Sequence, residues 1–176
     1  MRPSTGSSVY FDTCIIGNLV KQDASPADIA ALRTILDAAN ERRIDLVAST
    51  VAREEINKIP EQYRLAHETI YSLLSRLPGS RVTWVEETST GGARVVQDPR
   101  FTDINQVLRD ENDSRHFFQA VDNQVDFFLT TDQRSVLNQA PTLEQRFTVR
   151  PVSPTQLVKA LGLSTPSTGS AEPPVL

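Results

Sequence analysis

The sequence predicts a three-layer α/β/α sandwich with a central, mainly parallel β-sheet. Two observations support this fold: short apolar segments alternate along the chain with segments of helical periodicity, and several apolar segments end abruptly at a polar residue. The length of 176 residues suits one domain. We expect a flexible N-terminus over residues 1–7, one folded domain over 8–162, and a disordered tail rich in Ser, Thr and Pro over 163–176.

The first half of the chain alternates between strand and helix signals. A helix is predicted to begin at Ser25-Pro26, because Ser is a preferred N-cap and Pro is favoured at the first helical position. The predicted elements are a strand at 8–12, a short helix from Thr13, a helix from Ser25 to about Arg43, a strand at 44–49, a helix capped by Ser49 or Thr50 that ends near Lys58, and a helix at 61–77 with Leu65, Ile70, Leu73, Leu74 and Leu77 on its inner face.

The second half continues the alternation with weaker signals. Residues 86–100 contain Gly91-Gly92 and Asp98-Pro99 and are predicted to form a long loop. The predicted elements are a strand at 81–85, a helix opened by Asn112-Asp113 and ending near Asn123, a buried strand at 126–130, a short helix at 133–138, a weak strand at 147–149 and a last helix at 154–161.

Four carboxylates occupy corresponding ends of these elements. Asp12 and Asp132 follow apolar strands, Glu55 lies in the helix after the second strand, and Asp113 opens the helix before the strand at 126–130. Since a parallel sheet brings such ends to one edge, we expect the four acids to converge. Converging carboxylates repel one another, and a cation stabilises their ionised form. Oxygen ligands favour Mg²⁺ or Mn²⁺, which activate water for attack on a phosphodiester.

Each acid also has a purely structural interpretation. Asp12 is a common residue type at a strand end, and both Asp113 and Asp132 are suited to capping a helix. Glu55 could be a solvated helix residue, and its neighbour Glu54 makes the second acid ambiguous. The functional interpretation therefore depends on all four acids occurring in this order and at these element ends.

That order resembles the PIN-domain nucleases. Phe11-Asp12-Thr13 follows a strand, Glu55-Ile56 lies after Ser49, and Asp113-x-x-His116 and Thr130-x-Asp132 come later, so the resemblance covers about residues 8–150. It implies a metal-dependent ribonuclease in which Asp12, Glu55, Asp113 and Asp132 hold Mg²⁺ or Mn²⁺, directly or through water. Many members of the family are toxins of bacterial toxin–antitoxin pairs, so an antitoxin and a homodimer are implied partners. The excess length of this chain weakens the toxin role.

Other residues near the four acids are expected to support the site or to form its surroundings. The resemblance gives Thr13 and Thr130 as supporting hydroxyls, and His116, one turn after Asp113, is either a proton-transfer group or a structural histidine. Cys14 is interpreted as a small buried hydrophobe, and His67 as partly buried surface. A basic rim for RNA is predicted from the four cations that flank the acids: Arg53, Lys58, Arg115 and Arg134.

Composition limits the alternatives. The formal charge is −4, from 18 basic and 22 acidic residues, so nucleic acid would have to bind at a local basic patch. One cysteine excludes an internal disulfide and a thiolate metal cage, and no apolar run is long enough to span a membrane, so a cytoplasmic location is expected. A haloacid-dehalogenase-like phosphatase would need an acid at Cys14. The main alternative function is a catalytically silent PIN-like binding or scaffold protein.

Overall fold

A five-stranded sheet forms the centre of the molecule, and every strand is parallel to its neighbours. The computed structural model describes residues 6–83 and 98–163. The strands in chain order are β1 (Ser7–Phe11), β2 (Ile44–Ser49), β3 (Ser80–Thr83), β4 (Phe127–Leu129) and β5 (Arg150–Val152). Their order across the sheet is β3-β2-β1-β4-β5. The prediction of a mainly parallel sheet is confirmed.

Helices cover both faces of this sheet. Within the described residues they are α1 (Thr13–Lys21), α2 (Pro26–Asn40), α3 (Thr50–Lys58), α4 (Glu61–Ser75), α5 (Pro99–Leu108), α6 (Glu111–Asp122), α7 (Ala140–Phe147) and α8 (Pro154–Ala160), with one 3₁₀ turn at Leu137–Gln139. None of the helices in this part of the chain is long and apolar enough to cross a membrane.

The two faces of the sheet pack into separate apolar cores. Val9 and Phe11 pack in a core with buried residues of α1, α2, α3, α4 and α8, whereas Tyr10 packs with residues of α5, α6 and α7. Successive residues of a strand point to opposite faces, so β1 contributes alternately to both cores. In the second core Phe128 stacks on Tyr10 with ring centroids 5.3 Å apart. This arrangement confirms the predicted three-layer sandwich.

The chain crosses the sheet between β3 and β4. Because β2 and β3 lie on one side of β1 while β4 and β5 lie on the other, the carboxyl ends of β1 and β4 flank a crevice from which the connections diverge. Open α/β sheets bind ligands at such a switch point. Asp12 follows β1 at this crevice, and its backbone N–H donates to the carbonyl of Leu129 at the end of β4, at 3.0 Å.

The helix starts agree in part with the predictions. Ser25 and Ser49 are N-caps, and their hydroxyls accept from the backbone N–H groups of Asp28 and Ala52. The predicted cap at Asn112-Asp113 is wrong, because Asp110 caps α6 and accepts from the Asp113 backbone N–H at 3.0 Å. The Asp113 carboxylate is thereby released from the capping role that sequence position suggested.

The predicted inner face of α4 is only partly right. Leu74 is buried and Ile70 packs against the core, but Leu65 and Leu73 are 73% and 59% exposed. The side that packs against the domain instead carries His67, which is buried. The predicted inner face followed the spacing of the leucines, but His67, a polar residue, occupies one of the inward positions. The helix also ends at Ser75 and not at Leu77.

The C-terminal elements differ most from the predictions. Helices α5 and α7 were not predicted, and the weak strand at 147–149 is wrong, since Phe147 ends α7 and β5 begins at Arg150. Pro151 lies within β5, which is at the edge of the sheet, where a missing N–H is tolerated. The predicted helix at 133–138 is a series of turns followed by the 3₁₀ segment.

Several predictions fall on residues outside those described. They concern residues 1–5 of the predicted flexible N-terminus, Trp84 and Val85 of the predicted strand, residues 86–97 of the predicted loop, and residues 164–176 of the predicted tail. Two described residues of these segments belong to regular elements. Ser7, from the predicted flexible N-terminus, lies in β1, and Asp98, from the predicted loop, caps α5, which begins at Pro99.

Candidate active site

A pocket of about 320 Å³ lies at the carboxyl edge of the sheet, beside the ends of β1 and β4. All four predicted acids line it, although they are spread over 120 residues of sequence. The lining also includes both histidines of the chain and residues from the first turns of α1. The described residues that line it are Asp12, Thr13, Cys14, Gly17, Glu55, Ile59, His67, Asp113, His116 and Asp132.

Asp12 is the most buried of the four acids, at 6% exposure. It occupies the N-cap position of α1, yet its side chain makes no capping hydrogen bond. Its Oδ2 instead accepts from the Thr130 hydroxyl at 2.8 Å and from the Cys14 thiol at 3.2 Å. The structure thus places Thr130 where a supporting hydroxyl was predicted, and it holds Asp12 toward the pocket.

Glu55, and not Glu54, is the acid of α3 that reaches the pocket. Its carboxylate lies 3.0 Å from His116 Nε2. Glu54 points elsewhere and forms an ion pair with Arg115 at 2.9 Å. The two neighbours diverge because adjacent helix residues are about 100° apart around the axis. The ambiguity between the two acids is resolved in favour of Glu55.

His116 is the centre of a buried polar network. Its ring is 2% exposed, with Nδ1 2.8 Å from the Tyr10 hydroxyl and Nε2 between Glu55 and the Thr13 hydroxyl, which is 3.1 Å away. The Tyr10 hydroxyl in turn donates to Ser49 Oγ at 2.6 Å. Both ring nitrogens are therefore engaged within the protein. This arrangement suits a residue that positions Glu55 better than one that transfers a proton to a substrate.

Asp113 and Asp132 are joined through Ser135. The Ser135 hydroxyl donates to Asp113 Oδ2 in a short hydrogen bond and lies 2.9 Å from Asp132 Oδ2. Asp132 Oδ1 accepts from the backbone N–H groups of Arg134 and Ser135, at 2.8 and 3.0 Å. Asp132 therefore caps the turn after β4, as its structural interpretation suggested, while lining the pocket. Asp113 has no capping role and faces the pocket through α6.

The surroundings of the pocket shift the pKa values of Asp113 and Glu55 in opposite directions. Burial, together with the charges of Asp12, Asp110 and Asp132, raises the pKa of Asp113 to about 6, although the Ser135 hydrogen bond opposes the rise. Burial would also raise the pKa of Glu55, but the hydrogen bond and the positive charge of His116 lower it overall. One carboxylate of the pocket is thus poised near neutral pH while another stays ionised.

Burial alone would lower the pKa of His116, and its carboxylate neighbours outweigh this effect. The hydrogen bond to Glu55 and the negative charges of Asp12, Glu55 and Asp113 raise the pKa overall. The same carboxylates that would repel one another are therefore partly compensated by the His116 imidazolium. Its Nε2 lies 4.0 Å from Asp12 Oδ1 as well as 3.0 Å from Glu55.

Cys14 is a polar contact of the site and not simply a small hydrophobe. It is only partly buried as a residue, and its sulfur accepts from the backbone N–H of Thr131 at 3.3 Å while contacting Asp12 and Thr130. Burial of the thiol and the charge of Asp12 raise its pKa to about 12. The thiolate needed for nucleophilic chemistry is consequently disfavoured.

Three residues of the site were missed or given another role by sequence reasoning. Tyr10 and Ser135 were not assigned to the site, and His67 was interpreted as partly buried surface. The spacing Asp132-x-x-Ser135 is a turn-capping pattern that could have located Ser135. His67 lies one turn after Tyr63 in α4, and only the packing of α4 brings it to the pocket.

The predicted basic rim does not line this pocket. Arg115 is engaged by Glu54, and Arg53 lies with Arg76 and Tyr71 in a separate pocket of about 460 Å³ between α3 and α4. Lys58 lies close enough to Glu55 that its charge helps to lower the Glu55 pKa. Arg134 is exposed beside Asp132. These cations lie around the pocket, but none of them lines it.

The side chains of the pocket fit a divalent cation by chemistry but are not gathered around one point. Within residues 6–83 and 98–163, no three His, Cys, Asp or Glu side chains are grouped so that they could hold one ion. Each of the four acids gives at least one oxygen to a protein donor. The ligand atoms on offer are mainly carboxylate oxygens, which suit Mg²⁺ or Mn²⁺. A bound cation would require some of these carboxylates to exchange a hydrogen bond for a metal ligand.

Comparison with known proteins assigns this chain to no family. No family model matches the chain, and neither a curated protein nor a solved structure matches it. The resemblance to PIN-domain nucleases therefore stays a prediction from the order of four acids. Any function must be inferred from the pocket itself.

Proposed function

We propose that the protein is a metal-dependent ribonuclease, related to the PIN-domain nucleases, that hydrolyses RNA phosphodiester bonds. The observation that carries the proposal is the convergence of Asp12, Glu55, Asp113 and Asp132 on one pocket at the switch point of a parallel sheet. Two of these, Asp12 and Asp113, have no capping role there. A cluster of acids that mutual repulsion disfavours is most simply explained by a cationic ligand.

The acids would divide the work according to their contacts. Asp12, Glu55 and Asp113 would hold Mg²⁺ or Mn²⁺, and Asp132 would hold it directly or through water while capping its own turn. When bound, the cation supplies an activated water and neutralises the leaving oxygen. Thr130 keeps Asp12 turned to the pocket, and Thr13 and His116 keep Glu55 there.

Asp113 serves as a ligand in this scheme. Ser135 fixes one oxygen of its carboxylate, so the other is left to face the cation in the pocket. A bound cation would favour the ionised form of this carboxylate, whose pKa burial and the neighbouring acids raise to about 6.

Further parts of the proposal concern partners and location. RNA is the proposed substrate, and Lys58, Arg134 and Arg53 are the exposed cations around the carboxyl edge that would contact its phosphates. A homodimer, and a toxin role with an antitoxin that fills the pocket, are proposed on the family resemblance alone, and a cytoplasmic location is proposed on the single cysteine of the chain.

One observation favours a second candidate function, a catalytically silent binding or scaffold protein of the same fold. No three potential ligands are grouped for a metal among the described residues, and Asp132 is fully engaged in its turn. If the internal hydrogen bonds of the acids are stronger than their attraction for a cation, the pocket would be structural. The two functions differ in whether metal binds.

Cleavage of a mixed-sequence single-stranded RNA tests the proposal. The protein is incubated with RNA and Mn²⁺, Mg²⁺ or EDTA, alongside Asp12→Asn, Asp113→Asn and the control Asp103→Asn, whose carboxylate is exposed on α5. Asparagine keeps the shape of aspartate and removes its charge. We expect metal-dependent cleavage by the wild type and Asp103→Asn, and loss of at least about 100-fold in both pocket variants. Cleavage that survives in Asp12→Asn would contradict the proposed site.

A further inference from the structure

His67 presents an unpaired ring nitrogen to the candidate active site. It lies in α4 and lines the same pocket as the four acids, yet the residue is only 6% exposed. His67 Nε2 is not among the described side-chain atoms that are buried without a partner, so this nitrogen is open to the pocket that the residue lines.

The hydrogen bond of the other nitrogen shows that a proton lies on Nδ1. His67 Nδ1 lies 2.9 Å from the backbone carbonyl oxygen of Tyr63. A carbonyl oxygen only accepts, so Nδ1 carries the proton. In the neutral ring, Nε2 then has a lone pair and acts as an acceptor. Among the residues that the structure describes, none hydrogen-bonds to Nε2.

We propose that His67 Nε2 accepts a hydrogen bond from a ribose 2′-hydroxyl of the RNA, so that His67 lets the site distinguish RNA from DNA. This inference rests on the proposed function and adds a specificity-determining residue to it. The phosphates of a nucleic-acid backbone accept hydrogen bonds but do not donate them. The 2′-hydroxyl is the donor of an RNA backbone, and deoxyribose lacks it.

The position of His67 agrees with this role. A pocket built around carboxylates for phosphodiester chemistry brings the sugars next to the scissile phosphate against its walls. Each of the four acids that line the pocket with His67 already accepts a hydrogen bond from a protein donor. His67 Nε2 accepts from no described donor, so it is an acceptor that a 2′-hydroxyl could use without displacing a protein hydrogen bond. The alternative role, a metal ligand, is less well supported because no group of three ligands that includes His67 is present in the described residues.

Two substitutions separate the pocket nitrogen from the structural one. In His67→Asn, the amide nitrogen can take the place of Nδ1 and still donate to the Tyr63 carbonyl, while the atom at the Nε2 position is lost. In His67→Gln, the longer side chain can place its amide oxygen near the Nε2 position and gives up the contact to Tyr63. Thermal unfolding of both variants establishes that they fold.

The experiment measures binding and cleavage separately. Fluorescence anisotropy compares the affinities of RNA, 2′-deoxy and 2′-O-methyl oligonucleotides of one sequence in EDTA, for the wild type and both variants. We expect the wild type to bind RNA roughly threefold to tenfold more tightly than the two analogues, which is the contribution of one hydrogen bond. His67→Asn should abolish this preference by weakening RNA binding alone, and His67→Gln should keep part of it.

Other outcomes overturn the inference in distinguishable ways. A wild type that binds none of the three ligands or shows no preference for the 2′-hydroxyl, or a His67→Asn variant that keeps the preference, would overturn the contact between His67 and this group. Equal weakening of all three ligands would point to a phosphate contact. Cleavage with Mn²⁺ is assayed in parallel, so a protein that prefers RNA in the anisotropy assay but cuts none would refute the nuclease and leave the His67 contact standing.

Discussion

Glu55 and His116 form a partly buried ion pair between α3 and α6, with 3.0 Å between the Glu55 carboxylate and His116 Nε2. Because His116 is 2% exposed and its other nitrogen contacts Tyr10, the imidazole cannot turn away without leaving a buried polar group unpaired. The pair therefore determines where the Glu55 carboxylate points. The hydrogen bond and the positive charge of His116 also lower the pKa of that carboxylate.

Replacing His116 by Asn should raise the pKa of Glu55. Asparagine can keep a polar contact to Tyr10 near the Nδ1 position, but it removes the Nε2 hydrogen bond and the positive charge that lower the Glu55 pKa. Burial, which raises the pKa, then has less opposition. Carbon-13 NMR titration of the Glu55 carboxyl measures the change. An unchanged Glu55 pKa would mean that Lys58 and Thr13 account for its lowering.

Replacing Tyr10 by Phe should destabilise the protein by about 1–3 kcal/mol, because the buried His116 Nδ1 loses its partner. Phenylalanine keeps the ring that stacks on Phe128, so packing is preserved. Denaturant unfolding gives the change in the free energy of unfolding. The control is Tyr63→Phe, whose side chain is 57% exposed and should change stability by less than about 0.5 kcal/mol. Equal effects of both variants would argue against the network.

The Asp113→Asn variant should alter how stability depends on pH. The ordinary pKa of Asp113 is 3.8 and its pKa in the folded protein is about 6, so between these values the folded state holds a proton that the unfolded chain has released. The contribution of Asp113 to the free energy of unfolding therefore falls as pH rises from about 4 to about 6. In EDTA at neutral pH, Asp113→Asn should be more stable than the wild type.

Unfolding of both proteins across this pH range measures the effect. The difference between variant and wild type should grow with pH and level off above the folded-state pKa. A difference that stays constant through the range would mean that Asp113 titrates near its ordinary value, and that burial and the neighbouring acids do not raise its pKa.

Two glycines should respond oppositely to alanine. A Cβ at Gly79 would lie against the carbonyl oxygens of Ile44 and Ala39, 2.6 Å from the latter, so Gly79→Ala should cost about 1–3 kcal/mol. A Cβ at Gly17 would meet nothing within 4 Å, so Gly17→Ala in the middle of α1 should stabilise the protein by about 0.5–1 kcal/mol. Thermal unfolding compares the two; a destabilised Gly17→Ala would contradict the packing around the pocket.

The sheet and its carboxyl edge could be predicted because their signals are local and strong. β1, β2 and β4 each contain an uninterrupted apolar segment (Val-Tyr-Phe, Leu-Val-Ala and Phe-Phe-Leu), as expected for strands buried on both faces. Parallel connection then places the residues after each strand at one edge. This reasoning brought Asp12 and Asp132 together without knowledge of the pairing.

The side-chain network could not be predicted, because it depends on contacts between residues distant in sequence. Tyr10 and His116 are 106 residues apart, and either would satisfy an ordinary core interpretation. His67 was interpreted as partly buried surface because charged and apolar residues alternate around it in sequence, and only the packing of α4 against α1 and α3 brings it to the pocket. The cap at Asp110 was missed since Asn112 and Asp113 compete with it by residue type.

Calorimetric titration with Mn²⁺ tests most directly whether the four acids form a metal site. The wild type and the exposed control Asp103→Asn should bind Mn²⁺, and Asp12→Asn should bind at least about tenfold more weakly, because it loses the negative charge of the most buried acid of the pocket. Absence of Mn²⁺ binding to the wild type, or equal binding by Asp12→Asn, would contradict the metal-dependent nuclease and favour the binding or scaffold protein.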